Sequence, residues 1–225
     1  MLVGGDQPVE LTHLDLSFNP VHDEGLTALA SSPVARSITD LTVPGPTFSP
    51  VALASMGKAR FERLRRLYVG AATFDRAAAE SWRSASWNRD VEELTLLVSP
   101  ADDDATAALF GTDAWDRLRV LNLYGKIGPK TMTGIASLGA TRLWGLALQL
   151  AVLDDAAVEA MQDSACLSEL VWLVLDSCPL SRQQAKLLAA GAARGLLDVV
   201  VDEHRDVWAS AANLHPLVRS AQQVD

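Results

Sequence analysis

The residues able to do metal or nucleophilic chemistry are few: His13, His22, His204, His215, Cys166 and Cys178. A zinc site needs several such ligands at short, regular spacing, and His13 and His22 have no cysteine or further histidine nearby. A nucleophilic thiol needs an adjacent base or cation to lower its pKa, and no such pattern surrounds either cysteine. Asp102-Asp103-Asp104 offers three carboxylates in a row, but a calcium loop needs spaced oxygens. The run stands where a helix begins, so its expected role is to complement the positive end of that helix. Asp202-Glu203-His204-Arg205-Asp206 reads as a solvated charge run. The sequence holds no Gly-x-Ser-x-Gly, Walker or Gly-x-Gly-x-x-Gly stretch, and Gly125-Lys126 lacks the upstream glycine of a phosphate cradle. These residues predict no catalytic, cofactor or metal site, and a binding protein instead of an enzyme.

Bulk composition narrows the partners. The 225 residues carry a formal charge of −9 and a pI near 4.9; 49% are apolar and 21% charged. Those fractions suit a globular chain with a real core. An acidic chain repels phosphate backbones and anionic lipid. Nucleic acid and membrane are therefore not expected partners, and a basic protein is. Two cysteines make no disulfide framework. The opening Met1-Leu2-Val3-Gly4-Gly5-Asp6 lacks the basic and apolar regions of a signal peptide, and no uninterrupted apolar stretch approaches the ~18 residues of a membrane span. A cytoplasmic protein is expected.

The element that positions all of these side chains is a repeat. The stretch from Leu11 to Val21 has aliphatic residues at relative positions 1, 4, 6 and 11 (Leu11, Leu14, Leu16, Val21) and Asn19 at position 9. The 1-4-6 spacing returns at Ile38/Leu41/Val43, Leu64/Leu67/Val69, Val91/Leu94/Leu96 and Leu118/Leu121/Leu123. It continues at Leu143/Leu146/Leu148, Leu170/Leu173/Leu175 and Leu196/Val199/Val201. The starts lie 25–27 residues apart, and all 24 template positions are Leu, Ile or Val, which a random sequence does not produce. Positions 4 and 6 share one face of an extended strand, while 3, 5 and 7 point the other way. One unit cannot bury its apolar face alone, but stacked units share a continuous core.

The second half of each unit reads as helix. In most units a capping residue follows position 11: Asp23, Ser49, Asp75, Asp102, Asp154 and Ser181. Such side chains accept hydrogen bonds from the orphan amides of a first helical turn. Pro50 suits a first helical position, and the stretch from Asp154 to Met161 carries apolar residues at helical spacing.

These residues resemble the leucine-rich-repeat family over about residues 11–203. A 25–27-residue unit with a helix is similar to the cysteine-containing and ribonuclease-inhibitor-like classes, and the stretch from Asn19 to Ala30 carries that likeness best. The resemblance implies an α/β solenoid, a horseshoe with eight short parallel strands on its concave face and helices on its convex face. It also implies a protein-binding role, with inhibitor or immunity function as one form. The chain departs from the family at position 9, where Asn19 and Cys178 fit but Pro46, Ala72, Ser99, Lys126, Ala151 and His204 do not. A turn ladder of side-chain hydrogen bonds is thus expected to be largely missing. Gly128 replaces the apolar residue at position 11 of the fifth unit, where a break in curvature is expected.

The chain divides into a short N-terminal segment (1–10) that caps weakly, eight repeats (11–203) and a C-terminal capping segment (204–225). The stretch from Asp206 to Leu214 reads as a helix that packs Trp208 on the last core layer, because an open sheet edge needs cover.

The outward columns supply the candidate site. Asp40, Arg66 and Glu93 share the position 3 column and are expected to satisfy one another. Further along, Tyr124, Trp172 and Val174 stand outward beside Asp176, Asp198 and Asp202, with Trp144 at the strand's leading edge. Aromatic side chains on a wet face are enriched at binding hot spots, and a rim of carboxylates suits a basic partner. These seven residues form the expected partner-binding patch. Two other functions fit the sequence less directly: a structural arm docked through its N-terminal edge, and an enzyme with an unrecognised site.

Overall fold

The computed structural model describes residues 10–45, 47–98, 103–111, 114–138, 143–162, 164–165, 169–192, 198–201 and 218–219, the side chains of 191, 192, 198, 218 and 219 excepted. Strand and helix alternate as β1 (His13–Asp15), α1 (Asp23–Ser31), β2 (Asp40–Val43), α2 (Pro50–Gly57), β3 (Arg66–Ala72), α3 (Arg76–Arg83), β4 (Glu93–Val98) and α4 (Asp103–Ala107). Then follow β5 (Val120–Tyr124), α5 (Pro129–Ala136), β6 (Gly145–Gln149), α6 (Asp155–Gln162), β7 (Trp172–Asp176), α7 (Arg182–Ala192), β8 (Asp198–Val201) and β9 (Val218–Arg219). Short 3-10 turns at Pro33–Ser37 and Ser86–Asp90 lead back to β2 and β4.

All strands are parallel and pair in chain order in one open sheet. Each repeat strand begins at position 3 of its unit, and the register joins like positions: His13, Asp40, Arg66, Glu93, Val120, Gly145, Trp172 and Asp198 stand side by side. A position in the repeat is therefore a column across the sheet. The eight expected strands are present, and Val218–Arg219 adds a ninth beside β8. The expected helix around Trp208 lies outside the described residues, as do residues 1–9.

Position 1, 4 and 6 side chains fill the core, with every one from Ile38 to Leu175 at 2% exposure or less. Leu11, Leu14 and Leu16 are only half-buried, because β1 has a described neighbour on one side alone. On the helix side, Trp82, Trp87 and Trp115 are buried in the central units, joined edge to face with Phe74 and Phe61. The Trp82 and Trp87 indoles donate to Leu53 O (2.6 Å) and Met56 O (3.2 Å) of the preceding repeat.

Four of the six expected caps accept a bond from the first turn of their own helix: Ser49 from Ala52 N, Asp75 from Ala78 N, Asp154 from Ala157 N and Ser181 from Gln184 N. Ser181 and Gln184 form a reciprocal capping box, since Gln184 Oε1 accepts from Ser181 N. Asp102 lies outside the described residues. Asp23 is a correction: His22 is the N-cap of α1, and Asp23 instead accepts from Ser49 N in the next repeat. Asp103 also reaches across, accepting from Lys130 N (2.8 Å), Thr131 N (3.1 Å) and Thr131 Oγ1 (2.7 Å) at the start of α5. That helix has Gly128 as its N-cap, with no side chain to offer. A Cβ on Gly128 would come within 2.5 Å of the Asp103 carboxylate. The glycine thus makes room for a cap supplied by the neighbouring unit, while Ile127 fills the core.

Register runs through β5 and β6 without a shift. A register shift lies between Val69 and Ala72, where β3 meets β4.

Candidate functional site

The outward columns divide into a polar half and an aromatic half. In β1–β3, Asp40 receives the Arg66 Nε–H, and His13 Nε2 lies 3.2 Å from its other oxygen. Thr39 Oγ1 donates to the same carboxylate at 2.6 Å. Burial opposes ionisation of Asp40, but the hydrogen bonds from Thr39 and Arg66 and the guanidinium charge outweigh it and hold the carboxyl below its ordinary value. The expected trio is therefore a pair joined by His13, and Glu93 forms no ion pair with a described residue. Glu93 faces a shallow cleft of about 260 Å³ shared with Thr42, Tyr68 and Thr95.

In β5–β7, Trp172 does not stand free. Its indole lies against Gly145 on the adjacent strand, where an added Cβ would meet Trp172 Cε2 at 2.0 Å. Glycine here serves close approach between a ring and a backbone. Val174 is half-buried between Ala147 and Val200, both buried. Tyr124 is half-buried between Leu97 and Gln149. Burial, with the nearby Tyr68 and Asp176, pushes its hydroxyl pKa up. Asp176 accepts from Gln149 Nε2 at 2.5 Å and from Ser177 Oγ at 3.0 Å. The structure thus brings Tyr124, Trp172, Val174 and Asp176 onto one face of three adjacent strands.

Trp144 stands apart. It precedes β6 at position 2, is 48% exposed, and carries the Arg119 guanidinium 4.5 Å from its ring centroid. At about 3.3 Å per residue it is roughly 17 Å along the strand from the turn end where Tyr124 lies. Asp198 takes its place in the position 3 column through its backbone, its side chain outside the described residues, and Asp202 lies outside them altogether.

Apolar exposure continues at the turn end, past Leu97, which the repeat places outward at position 7. Leu97 (40%) neighbours Tyr124, and Leu150 (47%) and Val152 (53%) follow β6. Leu150 occupies position 8, where φ is positive in five repeats: Phe18, Ala71, Gly125, Leu150 and Ser177. An L residue there is strained by roughly 1 kcal/mol or more. Comparing position 8 across repeats is the signal that finds it: of these five residues only Gly125 has no Cβ to strain.

Cys178 is buried and donates its thiol to Leu148 O of the preceding repeat at 3.5 Å, a structural role at the turn. Asn19 instead bonds its own turn, donating to Ser17 O at 2.9 Å. Among the described residues no group of three His, Cys, Asp or Glu could hold a metal ion, and no helix is long and apolar enough to cross a membrane.

The family model described as Leucine Rich repeat matches residues 11–30, the unit that includes β1 and most of α1. The chain folds as a leucine-rich-repeat solenoid. The same 1-4-6 core recurs in the following seven units, with like positions in register. No curated protein matches the chain. A solenoid of this kind serves in general as a protein-interaction scaffold, its repeated strands presenting one broad surface.

Proposed function

We propose that this solenoid recognises a basic partner protein through the outward face of its sheet, centred on Tyr124, Trp172 and Val174. The observation that carries this reading is the grouping of these side chains with Leu97 and Tyr68 on one continuous face. Both tyrosines of the chain stand there. Neighbouring strands lie about 4.8 Å apart, so eight span roughly 34 Å, enough for a standard interface. The described face carries Asp15, Asp40, Glu93 and Asp176 against Arg66 alone, besides His13. Asp198 and Asp202 extend that acidic rim in sequence. The surplus favours a cationic partner and speeds its approach. Trp144, on the leading edge, contributes where the partner reaches around the strand starts. Inhibition by covering a partner's own site is one form this role takes in ribonuclease-inhibitor-like repeats, and a cytoplasmic setting goes with it.

The test compares captures. The full chain, Trp172→Ala, Tyr124→Ala and a helix-side control, Glu159→Lys, are each used as bait in the native lysate and eluted with rising salt. A partner of the face binds the control as it binds the native chain. It loses about 30- to 1000-fold in affinity for the aromatic variants. A partner held equally by all four baits places recognition elsewhere.

A further inference from the structure

Repeat segments that lead from helix back to strand form a return edge, remote from the turns after the strands. We propose that a cleft on this edge, between the C-terminal ends of α1 and α2, binds a phosphate-type oxyanion. The cleft has a volume of about 410 Å³ and is walled by Arg36, Lys58 and Arg60 together with Ser31, Ser32 and Ser55. Among the described residues no carboxylate lines it, in a chain with 28 acidic residues against 19 basic ones.

The ordinary duties of these cations do not use them up. The ends of α1 and α2 each carry about half a negative charge, and Glu62 Oε1 lies 3.7 Å from Arg36 Nε. Together these balance about two of the three positive charges, leaving about one for a ligand. Of the five cations between Lys58 and Arg66, Arg63, Arg65 and Arg66 are engaged with Glu10, Asp90 and Asp40. Lys58 and Arg60 are exposed, and neither forms an ion pair with a described residue.

Hydroxyl geometry adds to the charge. Ser31 and Ser55 donate to Thr27 O and Val51 O of their own helices. Ser32 Oγ accepts from Val34 N at 3.2 Å, which leaves its proton to donate outward. The cleft thus offers two guanidinium groups, an ammonium and a hydroxyl. Guanidinium and ammonium have no acceptor capacity. Several cationic donors lining one cleft suit a doubly charged phosphate better than a singly charged carboxylate. The phosphate is either free in solution or carried on a phosphorylated side chain of a partner.

The full chain titrated with inorganic phosphate, against chloride at constant ionic strength, should show saturable amide shifts at Ser32, Lys58 and Arg60 in heteronuclear spectra. Dissociation constants on the order of millimolar are expected for so open a site. Lys58→Gln combined with Arg60→Gln should weaken binding by about tenfold or more, as expected for lost charge-assisted contacts. Lys126→Gln, on the turn side, should leave it unchanged, and circular dichroism confirms that each variant is folded. A phosphoserine peptide binding more tightly than inorganic phosphate assigns the anion to a partner, and equal binding assigns it to free phosphate. Either result upholds the site. No saturable shift at these residues, equal binding by the double variant, or acetate binding as well as phosphate overturns it.

Discussion

The described tryptophans of the solenoid fall into two sets with opposite uses of the same side chain. Trp82, Trp87 and Trp115 are at 0–1% exposure, and each indole N–H meets a backbone carbonyl. For Trp82 and Trp87 that carbonyl belongs to the preceding repeat, so the ring ties two units together. Trp172 lies on the outward face and Trp144 on the leading edge, and neither indole N–H has a partner among the described residues. A buried tryptophan needs its polar handle satisfied internally, and one at a binding surface keeps it for the ligand. The difference teaches that repeats cohere through groups spent inward, while the face carries groups left unspent.

The largest expected effect tests that division directly. Trp87→Ala should cost about 3–5 kcal/mol in chemical denaturation, the loss of a large ring plus the cavity it leaves. Trp172→Ala should cost about 1–2 kcal/mol, because its ring is only half-buried. Equal costs would mean that Trp172 is a core residue and not a recognition residue.

Next in size is the close approach beneath Trp172. Gly145→Ala should cost about 1–3 kcal/mol as an overpacked contact, with a red shift in tryptophan emission as the ring is lifted into water. In the Trp172→Ala background the same alanine should cost much less, and a double-mutant cycle measures the coupling. Additive costs would show that the ring does not rest on Gly145.

A smaller effect separates caps made within a repeat from caps made between repeats. Asp103→Ala should cost about 1–2 kcal/mol and should raise hydrogen exchange at Lys130 and Thr131, in the unit after its own. Asp154→Ala should act locally, at Ala157. Exchange confined to α4 in the Asp103 variant would refute the cross-repeat cap.

Much of this was legible in the sequence because a 1-4-6 pattern is a statement about one strand, and stacking simply repeats it. Strand starts, column membership and the core leucines follow from that period alone. The face's chemistry was half legible. Tyr124, Trp172, Val174 and Asp176 stand in the columns the period assigns, but Gly145 beneath Trp172 only acquires meaning once the register sets the two side by side. Asp103 was legible as helix-start chemistry but not as the cap of the neighbouring helix, since propensity speaks of a residue's own segment. Overall charge likewise hides arrangement: a net −9 does not reveal Arg36, Lys58 and Arg60 gathered at one cleft. Leu150 was missed because its strain is a backbone property that no hydrophobic pattern carries.

The smallest effect concerns the polar half, where repeats also touch one another but in reach of solvent. Asp40 joins three units through His13, its own Thr39 and Arg66. Its folded-state pKa is depressed below the ordinary 3.8, so the folded protein binds fewer protons than the unfolded chain as pH approaches that value. The carboxylate's contribution is therefore fully present above the unfolded pKa and is lost as pH falls through the lower, folded one. Partly exposed ion pairs contribute little, so Asp40→Asn should lower the denaturation midpoint only slightly near neutral pH. The gap between the native chain and this variant should then close on acidification, once the native carboxyl is protonated too. Denaturant midpoints across that range check it. A gap that stays constant with pH would show that Asp40 acts through shape and not charge, and would place the polar half with the packed tryptophans.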